Sequence, residues 1–505
     1  MDIVSTKKKI IVDTVNYTIA QYSSNILGFV CVIAVSRFLG PYYMGVWNLL
    51  KIVMRYCNYS TLGTGAATAY KIPFFKGKKD EETIGEIRDS FFSFSILVSV
   101  ITSLALFVAA LFLKQRYSPE IITGIYVLCL FTILQRIYNV YIVLARAHKN
   151  FTVLCKVIWI DSIVNVIFVF LLVKNHKLYG LYAAIILTMV LNILYLTRAT
   201  KYEVRFRFDW NRILDLIKYG FPILIAGVLG VILLTVDRIM IAKMIGVTYV
   251  GYYGIGIMAR NYVNALSNNF GTIIMPHMMD AYGNTAKTDS MRKFVIVSTE
   301  LIACLLPPVL GGIYLAFPLL ISVVLPKFTP GILVVQILLL DMFFRSCNPQ
   351  FKHFLVALGK QNKLILITAF AIVLNIILNY LLISRGLGIY GVAASTSITS
   401  FFVFFVLLIY AVSHFHEKVN MLRFILKLTV PVCYITFIII VSDSLVNINN
   451  MYVKTVINLL ILTVFSLPIF FYVNKKTKIL NIVIGIMKEK MGRKKYSLLH
   501  DEDVS

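Results

Sequence analysis

The chain has 505 residues, of which 59% are hydrophobic and 14% are charged, and its mean hydropathy is +0.83. This composition excludes a set of ordinary soluble domains and indicates a protein that crosses a membrane many times. The formal net charge of +26 would suit a nucleic-acid partner, but most Lys and Arg residues cluster in alternate loops between apolar runs. We therefore expect no nucleic-acid binding.

Apolar runs of about 20 residues are long enough to cross a bilayer, and only helices or closed barrels can do so. Such runs predict an all-α membrane protein with about fourteen spans. They form two sets of six followed by two more: residues 13–36, 44–66, 90–113, 121–145, 153–173 and 179–197; then 219–242, 250–275, 294–325, 332–357, 364–384 and 388–412; then 425–446 and 453–473.

Two short motifs recur in the second set of six. SRFLGPYYMGVW at 36–47 resembles AKMIGVTYVGYY at 242–253, with Gly40 and Gly45 offset by 206 from Gly246 and Gly251. KLYGLYAA at 177–184 resembles GIYGVAA at 388–394, at an offset of 211. Since six is even, both sets enter the membrane in the same direction, which predicts a parallel repeat. Such duplicated bundles with a central site are common among transporters.

The repeat predicts the domain organisation. We expect six-helix bundles at 1–200 and 201–415, two extra helices at 416–475 and a cytoplasmic tail at 476–505. The clusters of basic residues predict that both termini are cytoplasmic, because cytoplasmic loops are enriched in Lys and Arg. These clusters are Lys7, Lys8 and Lys9; Lys71, Lys76, Lys78, Lys79 and Arg88; Arg198, Lys201, Arg205, Arg207, Arg212 and Lys218; and the tail from Lys475 to Lys495.

Ionisable residues inside the spans are the candidate functional residues, because each is unfavourable in lipid unless it faces protein or water. Five cations are candidates for substrate binding: Lys51, Arg55, Arg136, Arg260 and Arg345. Five further residues are candidates for coupling or gating: Asp161, Asp237, Arg238, Glu300 and Asp341.

The repeat offset brings Arg55 within one residue of Arg260, and Arg136 within two of Arg345. Four arginines at matching depths predict a cationic central cavity, whose planar guanidinium groups suit phosphate.

Structural roles stay open for several of these residues. Asp341 and Arg345 are four residues apart and can neutralise each other on one helix face. Lys51 can extend to the membrane interface, and Glu300 can serve either as a proton acceptor or in a structural hydrogen bond. No phosphate-binding loop of the GxxxxGK[ST] type occurs, so we expect no ATP-driven transport. We also expect no cofactor, no metal site and no enzymatic activity.

Several motifs together resemble the polysaccharide transporter family. They are residues 37–45, Gly63-Thr64-Gly65, Tyr219-Gly220-Phe221-Pro222, residues 237–241 and residues 246–253. The family contains the Wzx-type oligosaccharide-lipid flippases and belongs to a superfamily with lipid II flippases and multidrug and toxin extruders. The resemblance covers essentially the whole chain and implies a fold like that of those extruders.

The resemblance implies a flippase in the cytoplasmic membrane that carries a polyprenyl-diphosphate-linked oligosaccharide to the outer leaflet for surface polysaccharide synthesis. Other membrane proteins of polysaccharide assembly would be its partners, and the choice among H⁺, Na⁺ and the membrane potential alone as driving force stays open. One alternative is a cation-coupled multidrug extruder, although four arginines would repel a cationic drug. Another is a membrane-embedded glycan polymerase, which would need a large outer loop or clustered carboxylates.

Overall fold

In a computed structural model of the protein, residues 3–200, 202–285, 288–415 and 420–477 are described, and all regular elements in these ranges are helices. The expected all-α fold is therefore confirmed. The α-helices are α1 (Ile3–Cys57), α2 (Thr64–Gly77), α3 (Glu81–Leu113), α4 (Pro119–Ala147), α5 (Phe151–Phe168), α6 (Lys174–Thr200), α7 (Trp210–Met244), α8 (Val247–Thr285), α9 (Thr288–Val324), α10 (Gly331–Ala357), α11 (Gln361–Leu382), α12 (Gly388–Val412), α13 (Met421–Leu445) and α14 (Met451–Thr477). The predicted tail, apart from its first two residues, lies outside the described residues.

Ten stretches of the described chain are long and apolar enough to cross a membrane. Three of them hold two predicted spans each: Asn16–Thr61, Phe151–Thr200 and Gln361–Val412. The multi-pass architecture agrees with the prediction, whereas the number of fourteen spans is not confirmed. Kinks rather than polar loops join these three pairs, which accounts for three of the four missing spans. The fourth, the predicted span 250–275, is not among the ten stretches.

The first long helix bends at Gly40, which has φ 72° and ψ 177° and is followed by Pro41. The predicted second span, 44–66, is too long at its end: α1 stops at Cys57, and Leu62 and Gly63 adopt left-handed conformations. A separate helix, α2, then begins at Thr64. The reason is local, because a left-handed residue cannot continue a right-handed helix.

The second repeated motif also recurs in the backbone. A π-helical turn, Val169–Val173, precedes Lys177, which has φ 49° and ψ −124°. The corresponding π-helical turn, Ile383–Leu387, precedes Gly388, which has φ 53° and ψ −136°. The 211-residue offset found in the sequence therefore joins two positions with nearly the same unusual backbone conformation.

The chain divides into two compact units. Unit 1 comprises Met1–Ile257, Val324–Val334 and Thr368–Ser395, and unit 2 comprises Met258–Val323, Val335–Ile367 and Thr396–Ser505. One apolar core of unit 1 joins α2, α3, α4 and α7 and includes Ile72, Phe91, Leu144 and Leu216. In unit 2, side chains of α9, α13 and α14 form another core, which includes Cys304, Ile435 and Leu462.

Candidate functional site

A group of three cations lies where α1 meets α7 in unit 1. Lys51 and Arg55 are one turn apart on α1, and Arg238 lies on α7. The Lys51 Nζ atom also lies 5.8 Å from the centre of the Trp47 ring. A hydrogen bond of 2.8 Å between Tyr56 and Thr235 joins the same two helices. We call Lys51, Arg55 and Arg238 the cationic group.

Lys51 lines a cavity of about 310 Å³ in unit 1 together with Trp47 and Asp161. Asp161 on α5 also borders a second, more polar cavity of about 510 Å³, which Arg136 and Arg146 line. Asp161 accepts a hydrogen bond of 2.7 Å from the side-chain amide of Asn192 on α6. The carboxylate thus has a fixed partner and borders both cavities.

Arg136, on α4, has its guanidinium bound to the end of α1. It donates to the carbonyl oxygens of Cys57 and Asn58 and, at 2.8 Å, to the hydroxyl oxygen of Ser60. The last carbonyl groups of a helix have no intrahelical partner and favour a cation. Arg136 therefore caps the end of α1, two residues beyond Arg55.

Asp237 and Arg238 are neighbours on α7, but their side chains have different partners. Asp237 is 1% exposed and accepts hydrogen bonds of 3.0 Å from the Tyr253 hydroxyl and 3.1 Å from the Asn379 amide. Asn379 also donates to Asn375, one turn earlier on α11, at 3.0 Å. Asp237 is thus held within a buried polar network of α7, α8 and α11 that lies entirely in unit 1.

A buried ionic cluster surrounds Asp341 on α10 in unit 2. The Arg345 Nε atom donates to Asp341 at 3.1 Å, and the Arg260 Nη1 atom lies 3.7 Å from the other carboxylate oxygen. The hydroxyl of Ser400 on α12 donates to the same carboxylate. Arg260 and Asp341 are 1% and 0% exposed in this pair, whereas Arg345 is 21% exposed. The Asp341 carboxylate is therefore the counter-charge of both Arg260 and Arg345.

Glu300 on α9 pairs with Lys427 on α13, whose Nζ atom lies 3.2 Å from a carboxylate oxygen. The two side chains line one end of a mainly apolar cavity of about 430 Å³, which α14 also borders. The ion pair joins α9 to α13 in unit 2.

The four predicted arginines are not equivalent in the structure. Arg55 and Arg136 lie in unit 1, whereas Arg260 and Arg345 lie in unit 2. Arg136 contacts carbonyl groups and Arg345 contacts a carboxylate, so the two positions that the offset relates have different partners. Asp341 and Arg345 do form the ion pair that their four-residue spacing allows.

Sequence reasoning missed several polar partners. Asn375 and Asn379 recur with helical spacing in an apolar run, a signal that could have identified them. Asn192 in α6 is a similar isolated amide. Lys427 was overlooked because it stands near the beginning of a predicted span, where a cation is ordinary.

The arrangement of helices defines a known class of membrane transporter fold. The chain superimposes on an inward-facing multidrug resistance MATE family transporter of the MOP superfamily with a TM-score of 0.67, at 15% identity over 78% of this chain and 97% of that one. For the lipid II flippase MurJ in an inward closed conformation, the TM-score is 0.68, at 16% identity over 89% and 97% of the two chains.

A MOP superfamily transporter from Pyrococcus furiosus, whose binding pocket is described as having reversed polarity, gives a TM-score of 0.53 at 14% identity over 82% of this chain and 94% of that one. No curated protein sequence matches the chain significantly. Residues 34–327, more than half of the chain, match the model of a family described as polysaccharide biosynthesis protein. The protein belongs to this polysaccharide biosynthesis family and has the helical fold of the MOP superfamily.

Proposed function

We propose that the protein is a flippase that moves a polyprenyl-diphosphate-linked oligosaccharide from the inner to the outer leaflet of the cytoplasmic membrane. The observation that carries the proposal is the cationic group, in which Lys51 and Arg55 on α1 and Arg238 on α7 lie on two helices that the Tyr56–Thr235 hydrogen bond joins. Family membership supports a role in polysaccharide biosynthesis, and the fold supports transport by alternating access. The protein acts as a carrier and not as an enzyme.

The cationic group is suited to a diphosphate. Arg55 and Arg238 each offer a planar fork of N–H donors that matches two phosphate oxygens, and the Lys51 ammonium adds a point charge. Asp237 stands beside Arg238 in sequence, but its carboxylate is turned to Tyr253 and Asn379. Arg238 itself donates a hydrogen bond of 2.9 Å to the Leu234 carbonyl oxygen. The glycan occupies the cavity and the polyprenyl chain stays in lipid.

Arg136 acts in this proposal as a positioning residue. Its bonds to the carbonyl groups of Cys57 and Asn58 hold the end of α1, and Arg55 lies in the last turn of that helix. Arg260 and Arg345 remain candidates for substrate contact in unit 2, although Asp341 offsets part of their charge.

The driving force comes from ion gradients or the membrane potential. Outward movement of an anionic head group across a negative-inside membrane is favoured by about 2.3 kcal/mol per charge for each 100 mV. Asp161, Asp237, Glu300 and Asp341 are the candidate groups for coupling to H⁺ or Na⁺. The distribution of Lys and Arg supports cytoplasmic termini, and membrane proteins of polysaccharide assembly are the expected partners.

The proposal is tested by flux of a fluorescent polyprenyl-diphosphate oligosaccharide across proteoliposomes. Loss of a charge-assisted bond to the diphosphate predicts that Arg55→Ala and Arg238→Ala each lower the flux about tenfold or more. Arg116→Ala is the matched control, because Arg116 is an exposed cation in the loop after α3. Flux that equals protein-free vesicles, from a folded preparation that instead moves an organic cation, would identify a multidrug extruder and overturn the proposal.

A further inference from the structure

One face of unit 1 combines exposed aromatic rings with exposed cations. It consists of α2 and of the extended segment that leads into α7. We call it the basic-aromatic surface. Its exposed members are Tyr70, Phe74 and Lys76 on α2, Lys78 and Lys79 in the turn after α2, and Arg205, Phe206, Arg207, Phe208 and Trp210 in the segment and at the start of α7.

The two parts of this surface are held together by specific contacts. The rings of Tyr70 and Tyr219 have their centres 6.1 Å apart, and Lys71 pairs with Asp215. The backbone N–H of Arg205 donates to Asp89 on α3 at 3.2 Å. Gly63, just before α2, and Gly220 on α7 approach so closely that a Cβ on either would overlap the backbone of the other. These contacts fix both parts of the surface within unit 1.

The aromatic side chains on this surface point away from the protein. Phe206 is 69% and Trp210 is 55% exposed, and the rings of Phe208 and Trp210 stack with centres 5.7 Å apart and planes 16° apart. Exposed Trp and aromatic rings next to membrane helices prefer the level of the lipid head groups, where an apolar ring and a wet surface meet.

The cations of the surface remain available to a ligand. The side chain of Arg205 is 76% exposed and lies 3.4 Å from the carboxylate of Glu203, which is 80% exposed. The side chain of Arg207 is 64% exposed and lies 3.9 Å from the carboxylate of Glu86. The Lys78 ammonium lies 4.6 Å from the centre of the Phe74 ring. Residues 70–79 and 202–219 together contain eight Lys and Arg residues against three carboxylates. The surface thus has an excess of positive charge directly beside its aromatic rings.

We propose that the basic-aromatic surface binds the head groups of anionic phospholipids, with Phe206, Phe208 and Trp210 inserted at the interface and Arg205 and Arg207 bound to lipid phosphate. The positive-inside distribution assigns this surface to the cytoplasmic leaflet. An exposed basic residue near an anionic membrane surface raises partition into it about fivefold. The charge pattern favours an anionic lipid over a zwitterionic one, and the exposed stacked rings favour lipid over a water-soluble partner.

Trp210 provides a direct test, because the chain has only three Trp residues. A Trp47→Phe/Trp159→Phe variant leaves Trp210 as its sole Trp, whose emission is excited selectively over that of Tyr. The variant is placed in phosphatidylcholine bilayers that contain a small fraction of brominated phosphatidylglycerol or, in parallel, of brominated phosphatidylcholine. We expect stronger quenching by brominated phosphatidylglycerol, because the anionic lipid is enriched around Trp210. Equal quenching by the two lipids would overturn the proposal.

Variants that remove positive charge test whether this surface causes the preference for the anionic lipid. Arg205→Ala/Arg207→Ala in the same background should abolish the preference for phosphatidylglycerol. The control Lys114→Ala/Arg116→Ala removes two exposed cations from the loop after α3 and should leave the preference unchanged. If the Trp-depleted protein does not fold, native mass spectrometry of the unmodified protein and the two charge variants gives the same comparison. Retention of phosphatidylglycerol that is equal in all three proteins would refute the assignment.

Discussion

Gly45 on α1 lies directly against the backbone carbonyl of Val247 on α8, and Gly251 lies in the same way against the carbonyl of Pro41. Each residue of one contact is 206 positions from its counterpart in the other. The two copies of the repeated motif therefore meet reciprocally within unit 1, as a parallel repeat about a two-fold axis requires. A side chain at either glycine would overlap the facing carbonyl oxygen.

This contact predicts that Gly45→Ala and Gly251→Ala each destabilise the protein by about 1–3 kcal/mol, because backbone must move to admit the methyl group. Thermal unfolding in detergent measures the effect. Gly230→Ala is the matched control: it lies inside α7, and its Cβ would meet no atom within 4 Å, so helix propensity should make it neutral or stabilising by about 0.5–1 kcal/mol. Equal melting temperatures for all three variants would contradict the prediction.

The two repeated motifs show what could be predicted from the sequence. One relates Gly45 to Gly251, and the other relates Lys177 to Gly388. Recurrence of a motif at a fixed offset implies recurrence of its backbone, and a positive φ does occur at Gly40 and Gly246. Segment positions followed from apolar length, which lipid thickness imposes. The helical fold and the repeat were therefore accessible without coordinates.

The partners of the polar side chains were not accessible in this way. A helix that is apolar on all sides carries no signal of its rotation, so the sequence could not show that Arg136 caps α1 or that Asp237 faces α11. Helix α2 was missed because its two lysines, Lys71 and Lys76, masked its apolar face, including the buried Ile72. Such features depend on long-range packing rather than on local pattern.

The hydrogen bond from Tyr253 to Asp237 predicts a loss of stability in Tyr253→Phe. Removing a donor from a buried carboxylate costs about 1.5–3 kcal/mol, and the Tyr253 side chain is fully buried. The free energy of unfolding, measured by denaturant titration, should fall by this amount. Tyr252→Phe is the control, since the Tyr252 ring packs edge-on against Phe328 at 6.4 Å between centres and the substitution keeps that ring. A larger loss in Tyr252→Phe than in Tyr253→Phe would argue against the assigned role.

The cluster around Asp341 predicts that Asp341→Asn destabilises the protein by about 3–5 kcal/mol, because the buried Arg260 and the partly buried Arg345 lose their shared counter-charge. Asp443→Asn is the comparison. Asp443 pairs with Lys454 at 2.7 Å but is 62% exposed, so its loss should be below about 1 kcal/mol. Denaturant titration of the two variants distinguishes the buried cluster from the exposed pair, and similar losses in both would show that Asp341 is not the counter-charge of the two arginines.

His148, in the turn between α4 and α5, predicts a pH-dependent stability. Burial, and after it the charge of Lys76, lowers the pKa of His148 below its usual 6.5. The folded state therefore favours the neutral ring, and stability should fall as the pH drops from 6.5 toward the lower folded-state pKa. His148→Phe keeps a ring against Tyr202, whose centre lies 5.0 Å away, and should reduce this pH slope of the melting temperature. An unchanged slope would assign the acid sensitivity to other groups.

Lys177 has φ 49° and ψ −124°, a conformation that side chains strongly disfavour, whereas glycine occupies the equivalent position 388. Strain of this kind is worth about 1–3 kcal/mol, and the greater freedom of glycine in the unfolded chain offsets up to about 1 kcal/mol. Lys177→Gly should therefore stabilise the protein by about 1 kcal/mol on balance. Gly388→Ala is the reciprocal change, and since its Cβ would meet no atom within 4 Å, any destabilisation reports backbone strain alone. A melting temperature that falls in Lys177→Gly and is unaffected in Gly388→Ala would show that the two turns are not equivalent in energy despite their matching backbone angles.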